Sequence, residues 1–384
     1  MSSLVRPVPG PLAATFLDLP AGSPGGSVEL FLDLYTGDNP LIPANAFMLA
    51  PTSHGVPSVP PGLDLLHVPG KCLAGPAFGQ YVAALRKALV TAIGPSRIGV
   101  LHLQHLTFGA TPALIRALPA HPRIALVHGT DLLFAEAHPD QLRVLHETVR
   151  AANAIVVPTT AMAGHLRKLA PQVDERKIIR IPWGIPDHLL TDPLPRQDRS
   201  AVDQLRLLYA GRLTTEKGIE TLVRSLARVS GAELSIAAPR SQFHTLAPLL
   251  QRVGVRARYL GWLRRPQLWN AFTEHDALVV PSTTLEAMGL VALEAQACGL
   301  PVLYQPVPGL SETLGVSGLA TDFTNFAALA RDLGRLRASP ELLASLQQAG
   351  RVNAARYPLS ATATALTCLG HQLALGVRID KYLA

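Results

Sequence analysis

Residues 281–301 read PSTTLEAMGLVALEAQACGLP. They follow the apolar run Ala277-Leu278-Val279-Val280, which predicts a buried parallel strand. Pro281 stops that strand, and Ser282-Thr283-Thr284 form a polar loop. A helix is expected over 288–298, because Gly299 suits the left-handed residue that ends a helix and Pro301 blocks continuation. Leu290, Val291 and Ala297 lie three or four residues from Glu294, so Glu294 projects from a largely apolar face. An unpartnered carboxylate there is costly. A ligand rich in hydroxyl groups would supply donors, and a neighbouring backbone group is the structural alternative. Glu286 sits one loop earlier, at the C-terminal end of the strand, where open α/β sheets bind ligands.

A chain of 384 residues exceeds the usual size of one core, so two domains are expected. With 48% hydrophobic and 16% charged residues the composition is globular. Only 5% are aromatic, which argues against an aromatic-lined polysaccharide groove and against a base-stacking platform. The net charge is +7, and no basic-aromatic interleaving of the nucleic-acid-binding kind occurs. The densest basic cluster is Arg252, Arg256, Arg258, Arg264 and Arg265. It reads as a solvated surface, with a membrane-surface or anionic-ligand patch as the alternative. Cys72, Cys298 and Cys368 are far apart and form no disulfide or zinc pattern, which implies a reducing compartment. Prolines interrupt the N-terminus where a signal peptide needs an apolar core, and no stretch is long and apolar enough to span a bilayer. These features predict a cytoplasmic protein; its oligomeric state is open.

Strand and helix signals alternate along both halves. Strands are expected at 13–19, 98–103, 123–127, 154–157 and 177–181, with helices after residue 27 and over 81–92, 141–151 and 159–170. Residues 40–62 are proline-rich and read as irregular. Residues 191–204 read as a linker, and alternation restarts at residue 205. The pattern predicts an α/β fold of doubly wound parallel sheets, with units at 1–190 and 205–355 and a terminal segment at 356–384.

Between the expected strand at 206–209 and the helix that follows lies Gly211-Arg212-Leu213-Thr214-Thr215-Glu216-Lys217-Gly218. Arg212 and Lys217 can converge there on an anion at a helix N-terminus, the first as a bidentate fork and the second as a point charge. Two solvated cations are the alternative. Gly25 and Gly26 lie in a glycine-rich turn that also suits close approach to a phosphate, or merely a tight turn. His128 follows a strand in His-Gly-Thr-Asp, and Asp131 either orients it or caps the next helix. His102 and His105 stand at another strand end, suited to acceptor contact or to packing.

Ser282-x-x-x-Glu286-x-x-Gly289-Leu290-Val291-x-Leu293-Glu294-Ala295 resembles the Glu-x7-Glu signature of family-4 retaining glycosyltransferases of the GT-B fold. The Gly-Arg-Leu-x-x-Glu-Lys-Gly turn resembles that family's diphosphate-binding motif, and the two stand in the family's order. The match is strong over roughly 205–315 and weaker before it. The resemblance implies two Rossmann-like domains facing a cleft, with the last helix crossing back onto the first. It implies Arg212 and Lys217 on the diphosphate of a UDP- or GDP-sugar, Glu294 on the ribose, and Glu286 with the Met288, Gly289 and Leu290 amides on the sugar. It also implies Gly25 and Gly26 facing donor and acceptor, and His128 reaching the donor sugar. His105 and Asp131 are then acceptor-side candidates. Two departures stand out. The family usually has Glu-Gly-Phe-Gly where this chain has Glu286-Ala287-Met288-Gly289, which bears on the sugar pocket. Trp183 replaces a small polar residue, which bears on the hinge or the acceptor side. No Asp-x-Asp occurs, so no metal and no other cofactor are expected. The implied reaction is retaining transfer to a small polar acceptor, with a composition suggestive of antibiotic biosynthesis. The alternatives are transfer to a lipid headgroup or cell-envelope glycan, and a non-catalytic sugar-nucleotide-binding module.

Overall fold

The computed structural model describes residues 12–51, 59–93, 97–192, 194–195 and 204–377. Most of the expected linker, 191–204, lies outside these residues. Seven strands build the first sheet: β1 (Ala13–Pro20), β2 (Ala44–Leu49), β3 (Leu63–Leu66), β4 (Val100–Leu103), β5 (Arg123–Leu126), β6 (Ala154–Val157) and β7 (Ile178–Arg180). Six build the second: β8 (Leu205–Ala210), β9 (Ala232–Ala237), β10 (Ala257–Gly261), β11 (Ala277–Val280), β12 (Val302–Tyr304) and β13 (Leu319–Ala320). The orders are β3-β2-β1-β4-β5-β6-β7 and β10-β9-β8-β11-β12-β13, with parallel pairing throughout. The order of the strands therefore reverses once in each sheet, between β1 and β4 and between β8 and β11. Ligands of such sheets bind beyond the carboxyl ends of the strands at these points.

The central strands are short apolar runs buried on both faces, as helix-covered parallel sheets require: Ala277-Leu278-Val279-Val280 and Ala154-Ile155-Val156-Val157 are fully buried. The proline-rich stretch is not irregular throughout. It contains β2, whose Ala46, Phe47, Met48 and Leu49 are buried between β1 and β3. Flanking prolines masked the strand in sequence, whereas sheet pairing decides it. The helix of the opening stretch starts two residues later than expected, at Leu290–Ala297, because Gly289 adopts a left-handed φ of 71° as its N-cap.

One apolar core runs across the interface between the sheets, joining Leu17, Phe31 and Val100 to Leu278, Leu293 and Leu310. The terminal helix Leu359–Ala374 belongs to the same core and packs against β4. A clamp at residues 182–187 seats it. Ile185 N–H donates to Tyr357 O at 2.9 Å, Leu359 N–H returns a bond to Ile185 O at 2.9 Å, and Gly184 N–H donates to Thr362 Oγ1 at 2.9 Å. A Cβ on Gly184 would lie 2.6 Å from Leu359 backbone atoms, so this crossing needs a glycine. No helix among the described residues is long and apolar enough to cross a membrane.

Candidate functional site

The two reversal points face each other across a cavity of about 400 Å³, within the range of small-molecule sites. Gly25, Gly26, His105 and His128 line it from the first sheet. Arg212, Lys217, Glu286, Met288, Gly289, Leu290 and Glu294 line it from the second. The two sequence motifs thus meet, and two glycines explain how. The Pro281 carbonyl passes so close to Gly218 (φ 68°) that a Cβ would lie 1.9 Å from it. A Cβ on Gly309 (φ 90°) would lie 1.7 Å from the Glu286 carbonyl. Thr283 N–H donates to Glu216 O at 2.9 Å, which ties the Glu286 loop to the Arg212–Lys217 turn, and Glu286 N–H donates to Pro308 O at 3.1 Å, which ties it to the loop after β12.

Lys217 Nζ is hydrogen-bonded to Glu286 Oε1, which also accepts from Ser282 Oγ at 2.9 Å. Burial opposes ionisation of Glu286, but Lys217, Ser282 and Arg212 outweigh it and hold its pKa below the ordinary value. Glu286 is therefore a carboxylate at neutral pH. Lys217 and Arg212 do not share one hydrogen-bond partner: Arg212 reaches across the cleft, with Nη2 3.5 Å from Thr130 Oγ1.

His128 faces this wall from the end of β5. Gln104 donates to Thr15 Oγ1 at 2.7 Å, so its amide oxygen, 3.3 Å from His128 Nε2, selects the Nε2–H tautomer. Burial lowers the His128 pKa to about 4, which makes it a neutral imidazole with Nδ1 left as an acceptor. Trp183 stacks on it, with ring centroids 5.6 Å apart and planes at 23°, and donates Nε1–H to Val127 O at 3.2 Å. The unusual tryptophan thus backs the histidine. His105 packs between His128 and Phe108, 5.0 Å from each between ring centroids. Burial, then His128, Lys71 and Arg212, push its pKa well down.

Three of the candidate residues have partners within the protein. Asp131 is fully buried, with its oxygens taken by the Leu106 and His128 backbone N–H groups at 3.0 and 3.2 Å. Burial raises its pKa to about 6 despite these bonds. It shapes the His128 loop and does not line the cavity. His102 is bonded to Tyr35 Oη at 2.8 Å and belongs to the packing. Glu294 is buried as expected, yet finds donors inside the protein: Arg265 Nη2 at 2.9 Å and Trp269 Nε1 at 3.1 Å. Arg265 accordingly leaves the surface cluster, while Arg252, Arg256, Arg258 and Arg264 are exposed.

Sequence reasoning missed Lys71, Asp18 and Phe108, which line the first-sheet side of the cavity. Lys71 Nζ donates to Asp18 O at 2.6 Å and lies 5.8 Å from the Phe108 ring centroid. Phe108 adopts a left-handed φ of 67°, held by its N–H donating to Gln141 Oε1 at 2.7 Å. A buried aspartate on β1 was the one available signal; Lys71 comes from a loop with no periodicity. Among the described residues no three or more His, Cys, Asp or Glu side chains are grouped to hold a metal ion.

Comparison with known proteins agrees with this geometry. Residues 46–189 match the family described as Glycosyltransferase Family 4, and residues 192–353 match Glycosyl transferases group 1. D-inositol 3-phosphate glycosyltransferase of Mycolicibacterium smegmatis is 29% identical over 361 residues, covering 85% of this chain and 81% of the relative. The D-inositol 3-phosphate glycosyltransferase 1 of Catenulispora acidiphila is 27% identical, covering 80% and 81%. In fold, sucrose-phosphate synthase from Thermosynechococcus elongatus superposes with a TM-score of 0.78 at 20% identity, covering 95% of this chain and 100% of that one. Anabaena HepE in complex with UDP-glucose gives 0.73 at 16% identity, covering 94% and 100%. The chain is a glycosyltransferase on the GT-B fold, built from a Family 4 domain followed by a group 1 domain.

Proposed function

We propose that the chain is a retaining, metal-independent glycosyltransferase that moves a sugar from a UDP- or GDP-sugar to a small polar acceptor. The observation that carries this reading is the wall made by Arg212, Lys217 and Glu286 beyond β8 and β11, facing a neutral His128 across the cavity. Breaking the bond from the sugar's anomeric carbon to phosphate leaves growing negative charge on the diphosphate. Arg212 and Lys217 meet that charge where it develops, which accelerates the reaction more than equal binding of the ground state would. Glu286 stays ionised and therefore accepts hydrogen bonds from sugar hydroxyls; it is not a proton donor. His128, through Nδ1, accepts from another. The acceptor oxygen bonds to the anomeric carbon on the face the diphosphate leaves, and its proton passes to a departing phosphate oxygen. Glu294, with lone pairs beyond those given to Arg265 and Trp269, takes the ribose hydroxyls.

The acceptor meets His105, Lys71 and Phe108. Relatives are named for D-inositol 3-phosphate, and Lys71 is the cation on this side that would suit a phosphate-bearing polyol, a small acceptor of the kind also met in specialised-metabolite assembly. The exposed Arg252, Arg256, Arg258 and Arg264 do not line the cavity, so they take no part in holding an acceptor within it.

The test is turnover of UDP- and GDP-sugars against free and phosphorylated cyclitols and hexoses, with the product's anomeric configuration read by NMR. Transfer with the donor's α or β configuration kept is expected. Inversion would overturn the stereochemical assignment, and donor binding without transfer to any acceptor would favour the binding-module alternative.

A further inference from the structure

Arg265 is the first residue of the helix Arg265–Glu274. A cation at the positive end of a helix is unfavourably placed, so its neighbours must hold it there. They are three carboxylates from two parts of the molecule. Nη2 bonds Glu294 Oε1 at 2.9 Å on the second-sheet side. Nη1 bonds Asp33, and Nε lies 3.8 Å from Glu29 Oε2; both acids stand on the first-sheet helix Gly26–Tyr35, one turn apart. Trp269, one turn after Arg265, holds the other oxygen of Glu294 at 3.1 Å. The guanidinium is only 12% exposed. Burial works against its charge, and Glu294, Asp33 and Glu29 outweigh that and raise its pKa. With three acids to one base, the cluster holds together only through Arg265. Burial raises the Glu29 pKa, with Arg265 lowering it and Asp33 and Glu294 raising it further.

The helix that carries Glu29 and Asp33 begins at Gly26, and Gly25 and Gly26 line the cavity opposite Glu294. A planar fork fixes the distance between its partners in a way a flexible ammonium does not. We propose that Arg265 is a positioning residue that sets the width of the donor cleft, tying Glu294 to the helix behind the Gly25-Gly26 turn and so holding the two halves closed. The bridge itself stands on the ion pairs; that the cleft so fixed receives a nucleotide diphosphate rests on the function proposed above.

The experiment compares the wild-type chain with Asp33→Asn, Arg265→Gln and Arg265→Lys. Small-angle scattering of ligand-free protein reads closure, and calorimetric titration with UDP and with GDP reads the donor site. Asp33→Asn keeps shape and removes one charge from the first-sheet side of Arg265 while the Arg265–Glu294 and Trp269–Glu294 bonds remain possible, so it isolates the bridge from the fold. We expect a larger radius of gyration in Asp33→Asn and Arg265→Gln than in the wild type. Affinity for the diphosphate should fall several-fold in Asp33→Asn and roughly ten- to a hundredfold in Arg265→Gln. Arg265→Lys should not restore closure, and the donor KM should rise more than kcat falls. Scattering curves of Asp33→Asn and Arg265→Gln that superpose on the wild type overturn the proposal. If neither UDP nor GDP binds any form, the donor reading fails while the scattering comparison still decides the bridge.

Discussion

Lys217→Ala is expected to lower turnover by about a hundred- to a thousandfold, the loss typical of removing one preorganised charge from a developing oxyanion. The same change reverses the pH dependence of stability around Glu286. In the wild type the Glu286 pKa lies below its ordinary value because Lys217, Ser282 and Arg212 together overcome burial. A lowered folded-state pKa contributes stability that is present above the unfolded value of 4.5 and is lost as pH falls through the folded value. Without Lys217 the largest remaining influence is burial, which pushes the pKa up. The variant then binds a proton more tightly folded than unfolded, so it loses stability as pH rises above 4.5 toward its new pKa. At pH 7 the carboxylate, left with Ser282 and the more distant Arg212, should cost about 1–3 kcal/mol, toward the lower end because the Lys217 and Glu286 side chains are 28% and 14% exposed. Melting temperatures over pH 4–8 check both signs. A variant with wild-type turnover and an unchanged profile would show that the pair is a surface ion pair of no consequence.

Gly309→Ala should be the most damaging single-methyl change in the second domain. The left-handed backbone at φ 90° strains any side chain, and the added Cβ would sit 1.7 Å from the Glu286 carbonyl oxygen. Either the Glu286 loop moves or the helix Leu310–Leu314 does, and both line or support the cavity. A loss of about 3–5 kcal/mol is expected, with activity falling further than stability because Glu286 is displaced. Gly254→Ala is the control. Its φ of 72° and ψ of 18° lie in the left-handed helical region, less strained for alanine than the φ 90°, ψ −55° of Gly309, and nothing lies within 4 Å of the new Cβ, so it should cost only about 1–2 kcal/mol and leave kcat/KM intact. Equal losses in the two variants, read by denaturant unfolding, would show that the close approach to Glu286 plays no part.

Local signals were legible where local physics decides. Runs such as Ala277-Leu278-Val279-Val280 announced buried strands, and Gly211–Gly218 and Ser282–Glu294 announced the two loops that meet at the cavity. The β2 strand was hidden because Pro40, Pro43 and Pro51 flank it, while the pairing with β1 and β3 that fixes it is non-local. The same reason explains the chief surprise of the site. Glu294 was recognised as a carboxylate needing donors, but Arg265 stands 29 positions away among four exposed arginines. Nothing in a linear reading separates it from them. Only the approach of the helix Gly26–Tyr35, with Glu29 and Asp33, turns that arginine inward. Asp131 misled in the opposite sense: a polar residue beside a candidate histidine proved to serve two backbone amides.

Whether Arg212 and Lys217 receive a diphosphate in the cleft is decided by calorimetric titration of the wild type and Arg212→Ala with the nucleoside, monophosphate and diphosphate forms of uridine and guanosine. One base series should bind in the order diphosphate, monophosphate, nucleoside, and Arg212→Ala should weaken the diphosphate by roughly ten- to a hundredfold while barely changing the nucleoside. Diphosphate affinity equal in the wild type and Arg212→Ala, or no preference of the wild type for diphosphate over nucleoside, would contradict it.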